Sequence, residues 1–354
     1  MKVLTVVGAR PQFVKAYAVS AQLDGIHEEV LVHTGQHYDE ELSAVFFDEL
    51  GIGEPAYNLG IGSDTHAAQT AAVMERLDPI VEAEEPDTVL VYGDTNSTLA
   101  AALVAVKRDP TVTHVEAGLR SGNWRMPEEV NRVVTDHCSD LLFAPSASAV
   151  STLAGEGITE GVHEVGDVMY DAVLRVSERL LDRPAVLDEV GVSAPYVVAT
   201  VHRPRNTDDR ERLTAIVEGL ASVDYPVVFP VHPRTEAALR EYGLWEFATE
   251  RLAVVEPLGY IEFVGLVGGA TRVLTDSGGV QKEAFYLGTP CVTVREETEW
   301  HETVECGWNV LVPPDPRWIR TELTRFDPPP VKPSLYGDGH ASERIVEVLE
   351  STLG

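Results

Sequence analysis

The sequence predicts an α/β protein of two Rossmann-like, doubly wound domains that face each other across a cleft. Short apolar segments rich in β-branched residues alternate with longer helix-like segments, which is the pattern of a parallel sheet covered on both faces. The alternation runs through the first half of the chain and restarts in the second half. With 354 residues, the chain is long enough for two domains of ordinary size.

The first domain, predicted at residues 1–170, contains six strands and six helices. The strands are Lys2–Val7, Glu29–His33, Thr88–Tyr92, Val112–Val115, Leu141–Ala144 and Val162–Val165. The helices are Pro11–Leu23, Glu40–Leu50, His66–Glu84, Thr98–Arg108, Pro127–Cys138 and Ala147–Glu156. Pro11 and Pro127 suit the first turn of a helix, where the missing N–H breaks no hydrogen bond.

The second domain, predicted at residues 171–338, repeats this pattern after a join near Leu181–Pro195. Its strands are Tyr196–Thr200, Val227–Val231, Leu252–Val255, Val273–Thr275 and Cys291–Val294. Its helices are Leu213–Ser222, Arg234–Tyr242, Gly259–Gly268 and Val280–Leu287. A proline-rich run precedes an amphipathic segment at residues 339–354, which we expect to form a helix that packs back on the first domain.

The chain is strongly acidic, and this limits its partners. It has 57 Asp and Glu residues against 27 Lys and Arg residues, and its formal net charge is −30. Such a charge disfavours nucleic acid and anionic membrane surfaces. No apolar run approaches the ~20 residues that a membrane span needs, and Met1–Gly8 is typical of a strand rather than of a secretory signal. We therefore expect a cytoplasmic protein without membrane insertion.

The segment Thr275–Ala284 places the turn Ser277-Gly278-Gly279 between a strand and a helix. Free backbone N–H groups and the positive end of a helix dipole meet at such a turn and bind phosphate groups. Glu283, about one turn into the helix, is placed to accept the hydroxyls of a ribose. A tight turn with an ordinary helix cap explains the same residues. Gly8 does not belong to a dinucleotide-binding glycine series.

Carboxylates follow strands of the first domain. Asp94 comes after Thr88–Tyr92, Glu116 comes after the next strand, and Glu128 lies in the first turn of a helix. Crowded carboxylates raise each other's pKa, which lets one act as an acid and another as a base near neutral pH. The alternative is that Asp94 caps the following helix and Glu128 satisfies a helix start.

Cations and histidines also stand at strand ends. Arg10 and Lys15 flank the first helix start, where they can bind sugar or phosphate oxygens or remain solvated cations. His202 and His232 each follow a strand of the second domain and can contact a substrate, carry a proton or serve the structure. We find no His, Cys, Asp or Glu spacing typical of a metal site.

Taken in order, these motifs resemble those of the non-hydrolysing UDP-N-acetylglucosamine 2-epimerase family, which has the two-domain GT-B architecture. The resemblance runs over almost the whole chain. The motifs are Gly8–Pro11, Thr34–His37, Gly93–Thr95, His114–Arg120, Pro127–Arg132, His202–Arg203, Thr275–Gly279, Thr298–Glu299 and Tyr336–Gly339.

The resemblance implies an isomerase that inverts C2 of a UDP-linked 2-acetamido sugar. A base removes the C2 proton while UDP leaves C1, giving a 2-acetamidoglucal, and UDP then adds back as the proton returns on the other face. This reaction would interconvert UDP-N-acetylglucosamine and UDP-N-acetylmannosamine for surface glycans. It implies no metal and no cofactor, and it leads us to expect a homodimer.

The same matching assigns roles to residues. The catalytic groups are expected to be Asp94, Glu116, Glu128 and His202. The groups expected to bind the UDP-sugar are Arg10, Lys15, Ser277, Gly278, Gly279 and Glu283. We add His232 to this set because it stands at a strand end. Which carboxylate takes the C2 proton is left open.

Some positions depart from the common bacterial pattern of the family. Gln12 and Lys282 replace glutamates, and Trp300 replaces an arginine near the sugar site. These residues resemble those of a subgroup that includes 2-epimerases of UDP-2,3-diacetamido-2,3-dideoxyglucuronic acid. That nucleotide sugar is therefore the alternative substrate. Arg205 would favour such an acidic sugar unless it is a surface cation.

Two further functions are compatible with the fold. A GT-B glycosyltransferase shares the nucleotide cradle, but it does not need Asp94, Glu116 and Glu128 together. A UDP-sugar sensor would leave these three acids unexplained. Tyr38 and Asp39 stand where activator-responsive bacterial members carry a glutamine, so we do not expect activation by a second UDP-sugar.

The dispersed acidic charge, with only five lysines, predicts a protein adapted to high salt. Salt screens the repulsion between surface carboxylates, so we expect the melting temperature to rise from dilute buffer to molar KCl. Thermal melts followed by circular dichroism at matched pH measure this. A melting temperature that is equal in the two solutions would contradict the prediction.

Overall fold

A computed structural model of the protein describes residues 1–36, 51, 53–179 and 185–354. The predicted helix Glu40–Leu50 and the positions His37, Tyr38 and Asp39 lie outside these ranges, as does part of the predicted join at Leu181–Pro195. The described residues form two compact units. One unit comprises Met1–Arg175 and Ser334–Gly354, and the other comprises Val176–Pro333.

The first unit contains a parallel sheet of seven described strands with the order β3-β2-β1-β4-β5-β6-β7. The strands are β1 (Lys2–Val7), β2 (Glu28–His33), β3 (Tyr57–Asn58), β4 (Thr88–Tyr92), β5 (Thr111–Val115), β6 (Leu141–Ala144) and β7 (Val162–Glu164). The described helices are α1 (Arg10–Leu23), α2 (His66–Glu84), α3 (Asn96–Ala105), α4 (Pro127–Cys138), α5 (Ala147–Gly155) and α6 (Val168–Arg179), the last of which continues into the second unit. This strand order is that of a Rossmann-like fold.

The first sheet is held by apolar strands that are buried on both faces. All five residues of β4 are buried. On one face, Leu4 and Val91 pack in one apolar cluster with Leu77 of α2 and Ala101 of α3. Burying each large aliphatic side chain contributes roughly 1.5–3 kcal/mol. The strands were predicted from continuous apolar runs, and these runs occur because helices bury both faces of the sheet.

The second unit repeats the arrangement with six described strands in the order β10-β9-β8-β11-β12-β13. The strands are β8 (Val197–Thr200), β9 (Val227–Pro230), β10 (Ala253–Val255), β11 (Arg272–Thr275), β12 (Cys291–Thr293) and β13 (Asn309–Leu311). The helices are α7 (Ala185–Glu189), α8 (Pro204–Thr207), α9 (Arg210–Ala221), α10 (Pro233–Glu241), α11 (Trp245–Arg251), α12 (Tyr260–Gly268), α13 (Gly278–Leu287), α14 (His301–Glu305) and α15 (Pro316–Arg325). The prediction of two Rossmann-like, doubly wound α/β units is confirmed.

Several short elements were not predicted. Strand β3 has only two residues and β13 only three, which is too few for an apolar pattern to show. Helix α15 did carry a recognisable start, because Asp315 is its N-cap and Pro316 lies in its first turn. None of the described helices is long and apolar enough to cross a membrane.

The last helix, α16 (Ala341–Leu353), belongs to the first unit. Ile345 and Leu349 on this helix are fully buried. Its N-cap, His340, makes no capping hydrogen bond. Instead, the buried carboxylate of Asp171 accepts hydrogen bonds from the N–H of Ala341 at 3.1 Å and from the N–H and hydroxyl of Ser342 at 2.6 Å. A carboxylate on α6 therefore accepts the hydrogen bonds of the N–H groups at the start of α16.

Replacing this acceptor should destabilise the protein strongly. We expect Asp171→Ala to lower the free energy of unfolding by about 2–4 kcal/mol, because it leaves two buried N–H groups without an acceptor. Ser342→Ala is the matched control, since it removes only the hydroxyl and should cost about 1 kcal/mol. Urea denaturation followed by far-UV circular dichroism measures both. Equal losses in the two variants would argue against the capping role.

Candidate active site

The first group of predicted site residues follows the central strands of the first sheet. The strand order reverses between β1 and β4, and such a switch point is where ligands bind in open α/β sheets. Arg10 follows β1, and Asp94 follows β4. Strands β4 and β5 pair with Tyr92 opposite Val115, so Asp94 and Glu116 leave the sheet at the same edge.

Glu116 forms an ion pair with Lys15. Only 9% of the Lys15 side chain and 12% of the Glu116 side chain are exposed, so each charge is stabilised by the other. Glu116 has a φ of 75°, a left-handed conformation that is uncommon for a residue with a Cβ atom. Its N–H donates to the carbonyl of Phe143 at 3.1 Å. A predicted acid-base residue and a predicted binding residue are therefore in direct contact.

Asp94 is held by the helix α4. Arg132 Nη2 lies 2.5 Å from Asp94 Oδ2, and Asn131 Nδ2 donates to the backbone carbonyl of Asp94 at 2.9 Å. Burial raises the pKa of the Asp94 carboxyl; Arg132 and Lys15 oppose this rise, whereas Glu116 adds to it. Asp94 thus holds a proton more readily than an ordinary aspartic acid does.

The structural alternative for Asp94, a helix cap, is taken by its neighbour. Thr95, not Asp94, is the N-cap of α3 and accepts from the N–H of Thr98 at 3.2 Å. The interpretation of Asp94 as a helix cap is therefore wrong.

At the start of α4, Glu129 supports the preceding loop. Its carboxylate accepts from the N–H and hydroxyl of Ser121 and from the N–H of Gly122, all at 2.8 Å, and from Arg132 at 2.9 Å. Burial opposes its ionisation, but the hydrogen bonds from Ser121 and Gly122 lower the pKa of Glu129. Its neighbour Glu128 is half-buried and makes no hydrogen bond or ion pair with a described residue.

A fully buried histidine supports both strand ends. His114 Nδ1 lies 2.7 Å from Asp136 Oδ1, and His114 Nε2 lies 2.8 Å from the carbonyl oxygen of Gly93. The ring of His114 therefore bridges a carboxylate oxygen and a backbone carbonyl oxygen. Asp136 also accepts from the N–H of Gly118 at 3.1 Å and from Arg120 Nη1 at 2.7 Å. The network joins the turn before Asp94 to the turn after Glu116.

Gln12 supports the loop after β1, which sequence reasoning noted only as a departure from the family pattern. Its Oε1 accepts from the N–H of Gly8 at 2.8 Å and of Ala9 at 3.0 Å. Its Nε2 donates to the carbonyl of Tyr92 at 2.7 Å and to Thr98 Oγ1 at 2.9 Å. The Tyr92 carbonyl also accepts from the Thr98 hydroxyl at 2.7 Å, and the amide of Gln12 adds a second donor, which an ionised carboxylate could not supply.

The second group of site residues follows β11. Ser277 is the N-cap of α13 and accepts from the N–H of Val280 at 3.5 Å. The N–H groups of Gly278 and Gly279 donate to no acceptor within the described ranges. A Cβ atom on Gly279 would make only an ordinary contact with Ser277 Oγ, at 3.9 Å, whereas one on Gly278 would collide with the side chain of Glu299. Gly279 therefore leaves room for a ligand, whereas a side chain at Gly278 would displace the carboxylate of Glu299.

Helix α13 also carries two charged side chains that are almost completely buried. Glu283 is 7% exposed and its neighbour Lys282 is 4% exposed. The Lys282 ammonium lies 4.2 Å from the centroid of the Trp300 ring, a cation–π contact. Lys282 and Trp300 are both departures from the common family pattern. The structure joins these two departures in one interaction.

The two predicted histidines are neighbours. The ring centroids of His202 and His232 are 5.8 Å apart. His232 is the N-cap of α10, and its Nδ1 accepts from the N–H of Arg234 at 3.1 Å, so one of its nitrogens serves the structure. His202 Nδ1 lies 3.2 Å from Asp276 Oδ1.

Two arginines that were not predicted carry positive charge beside this group. Arg295 Nη1 lies 2.7 Å from Glu299 Oε2, and Arg203 Nη2 lies 3.7 Å from Glu299 Oε1. Burial and the neighbouring Arg295 lower the pKa of Arg203. Two guanidinium groups near one carboxylate leave a net positive charge, which suits an anionic ligand. Arg203 directly follows His202 in the sequence, and this was the signal that could have identified it.

Within the described residues, no group of three or more His, Cys, Asp or Glu side chains is arranged to hold a metal ion. Cys138, Cys291 and Cys306 are free thiols. Burial raises the pKa of Cys291 to about 12, so this thiol is not a nucleophile at neutral pH.

Comparisons with known proteins agree on one family. A model of the UDP-N-acetylglucosamine 2-epimerase family matches residues 21–350. A UDP-N-acetylglucosamine 2-epimerase homolog of Methanococcus maripaludis is 47% identical over 99% of this chain and 100% of its own length. A UDP-2,3-diacetamido-2,3-dideoxy-D-glucuronate 2-epimerase of Pseudomonas aeruginosa is 45% identical over 99% of each chain.

A solved structure shares the fold. The crystal structure of Methanocaldococcus jannaschii UDP-GlcNAc 2-epimerase in complex with UDP-GlcNAc and UDP has a TM-score of 0.86 to this chain and is 40% identical to it. The match covers 99% of this chain and 100% of that one. It agrees with the GT-B fold class that the resemblance implied.

The raised pKa of Asp94 predicts a pH-dependent stability. Because burial raises the folded-state pKa of this carboxyl above its unfolded value, a proton on Asp94 favours the folded state at low pH. This stabilisation is lost as the pH rises through the folded-state pKa. We therefore expect the free energy of unfolding of the wild type, relative to Asp94→Asn, to fall from about pH 4 towards neutrality.

Urea denaturation of both proteins at constant ionic strength measures this difference. The control is Asp109→Asn, which changes an exposed carboxylate of the same unit in the same way. Its difference from the wild type should stay nearly constant with pH. A wild-type stability that rises with pH relative to Asp94→Asn would contradict the assignment.

Proposed function

The chain belongs to the UDP-N-acetylglucosamine 2-epimerase family, and from this premise we propose that it interconverts UDP-N-acetylglucosamine and UDP-N-acetylmannosamine. In this reaction a carboxylate removes the proton from C2, the bond between C1 and the UDP oxygen breaks, and a double bond forms between C1 and C2. UDP then adds back to C1 while a proton returns to the opposite face of C2. Atoms and electrons balance without a metal or a redox cofactor.

The observation that carries the proposal is the contrast between Asp94 and Glu116. Burial favours a proton on Asp94, whereas Glu116 is paired with the Lys15 ammonium, which stabilises its charge. Two carboxyl groups in unlike environments are the usual arrangement for an acid and a base that act near neutral pH. Glu128, which is not engaged by another described residue, is proposed as the third acid of the set.

The departing diphosphate also needs stabilisation. The N–H groups of Gly278 and Gly279, which donate to no acceptor among the described residues, lie at the positive end of α13, and this supports their proposed role in binding the pyrophosphate. Arg203 and Arg295 add positive charge.

The remaining predicted residues complete the proposed binding set. Ser277 would hold the pyrophosphate beside the two glycines, and Glu283 would hold the ribose. Arg10, Lys15 and His232 would contact sugar or phosphate oxygens. His202 would act on the reacting part of the substrate.

The second candidate substrate is UDP-2,3-diacetamido-2,3-dideoxyglucuronic acid. It is favoured by the 45% identity to the Pseudomonas aeruginosa relative, which is named for that sugar. The buried Lys282 places an ammonium where the common family pattern has a carboxylate, and this removes a negative charge that would repel an acidic sugar. Arg205 gives less support, because it is exposed and its guanidinium is paired with Glu296.

We further propose that the enzyme works as a cytoplasmic homodimer that supplies N-acetylmannosamine-type sugars to surface glycans. The family resemblance is the basis for this part of the proposal. The acidic surface charge is compatible with a soluble substrate and disfavours nucleic acid.

The decisive experiment follows hydrogen exchange at C2. Incubation with UDP-N-acetylglucosamine in D₂O at high salt should place deuterium at C2 and produce UDP-N-acetylmannosamine, as measured by proton NMR. Glu116→Gln should lower the rate by at least ~100-fold, the usual scale for a lost acid or base. The exposed Glu347→Gln is the matched control and should keep the wild-type rate.

The other outcomes decide between the alternatives. Deuterium that appears only in the diacetamido uronic acid nucleotide would identify the second candidate substrate. Transfer of the sugar to an acceptor without exchange at C2 would contradict the epimerase proposal. An unchanged rate in Glu116→Gln would remove that residue from the mechanism.

A further inference from the structure

Asp276 has no role in the reaction described so far, yet it lies beside the predicted catalytic histidine. Strands β8 and β11 are neighbours at the switch point of the second sheet, and they pair with Thr200 opposite Thr275. Asp276 is the first residue after β11, and His202 is the second residue after β8. The sheet register therefore brings these two side chains together.

The carboxylate of Asp276 is completely buried and surrounded by donors. It accepts from the backbone N–H of His202 and of Arg203, each at 3.0 Å. Asn206 Nδ2 donates to it at 3.0 Å, and His202 Nδ1 lies 3.2 Å from Oδ1. A buried carboxylate with this many donors is held in one orientation.

The donors also fix the charge of Asp276. Arg212 donates to Asn206 Oδ1 from Nε at 3.2 Å and from Nη2 at 3.1 Å, so the Asn206 amide must turn its NH₂ group towards Asp276. Burial opposes the ionisation of Asp276, but the hydrogen bonds from His202 and Asn206 lower its pKa. The group that faces His202 Nδ1 is therefore an ionised acceptor.

We propose that Asp276 is a positioning residue that keeps the proton of the neutral His202 ring on Nδ1 and so leaves Nε2 as the basic atom. An ionised carboxylate can accept a hydrogen bond and cannot donate one, so Nδ1 must carry a proton in this contact. The other side of the ring is open: 39% of the side chain is exposed, and no described residue bonds to Nε2. Asp276 thus determines which nitrogen of His202 is presented to a ligand.

The charged groups around His202 do not offer a competing acceptor for Nδ1. His232 faces the ring at 5.8 Å, and its own Nδ1 is occupied by the N–H of Arg234. Arg203 is a cation and has its nearest carboxylate in Glu299, at 3.7 Å. Only Asp276 accepts from the imidazole among the residues that the structure describes.

The catalytic consequence rests on the proposed function, in which His202 acts on the UDP-sugar. The proton position itself does not, because it follows from the contacts in the free protein. These two parts can be tested separately.

The first test uses the wild-type protein without substrate. ¹⁵N-labelled histidine and long-range ¹H–¹⁵N correlation spectra distinguish the two neutral tautomers, and the His202→Gln spectrum assigns the signal. We expect the neutral His202 ring to carry its proton on Nδ1. A neutral ring with the proton on Nε2 would overturn the proposal, whatever the enzyme's activity.

The second test uses Asp276→Asn, which keeps the size of the side chain and an oxygen for the backbone N–H groups. The amide NH₂ of this variant faces Nδ1, so we expect the proton to move to Nε2. We also expect kcat for C2 exchange to fall by ~100-fold or more, with KM within ~3-fold, because the ring is then held in the wrong tautomer. A fall in kcat with the wild-type tautomer retained would overturn the proposal.

Asp209→Asn is the matched control. Asp209 is the exposed N-cap of α9, and asparagine caps a helix equally well, so this variant removes one negative charge of the second unit and no contact of His202. It should keep both the wild-type tautomer and the wild-type kcat. Should Asp276→Asn fail to fold, the wild-type spectrum alone decides. An Nδ1 proton in a protein without epimerase activity would support the role of Asp276 and contradict only the proposed function.

Discussion

The register between neighbouring parallel strands is the constraint on which the candidate site depends. In each sheet, strand order reverses at a switch point, and the segments that follow the adjoining strands leave the sheet at the same edge. The pairing of β4 with β5 brings Asp94 and Glu116 to one edge, and the pairing of β8 with β11 brings His202 and Asp276 together. Residues far apart in the sequence therefore share one environment. A shift of either strand by one residue would turn the following side chains to the opposite face.

Burial then forces each charged group to have a partner. A charge that leaves water must recover its hydration energy from a counter-ion or from hydrogen bonds. Glu116 obtains this from Lys15, and Asp94 from Arg132. Asp276 obtains it from the four donors that surround it. These partners do more than satisfy the charges, because each also fixes the orientation of a side chain that the proposed chemistry would use.

The departures from the common family pattern have physical explanations in their contacts. Gln12 uses its amide to bridge an N–H pair and a carbonyl, which requires a donor and an acceptor in one side chain. Lys282 and Trp300 replace a carboxylate and a guanidinium with an ammonium and an indole, and the two new groups contact each other. The pair therefore carries one positive charge, where the common pattern has two opposite charges.

The sequence by itself determined the fold class, the alternation of strands and helices and the position of the candidate residues at strand ends, because apolar periodicity and turn residues are local signals. It also placed Ser277 at a helix start, which the structure bears out. Only the tertiary structure decided that Thr95 and not Asp94 caps α3, and that Asp276 faces His202. Those contacts join segments that are distant in the chain, and they follow from strand order, sheet register and burial, none of which a local pattern encodes. The protonation preference of Asp94 belongs to the same class, since it arises from desolvation by residues outside its own segment.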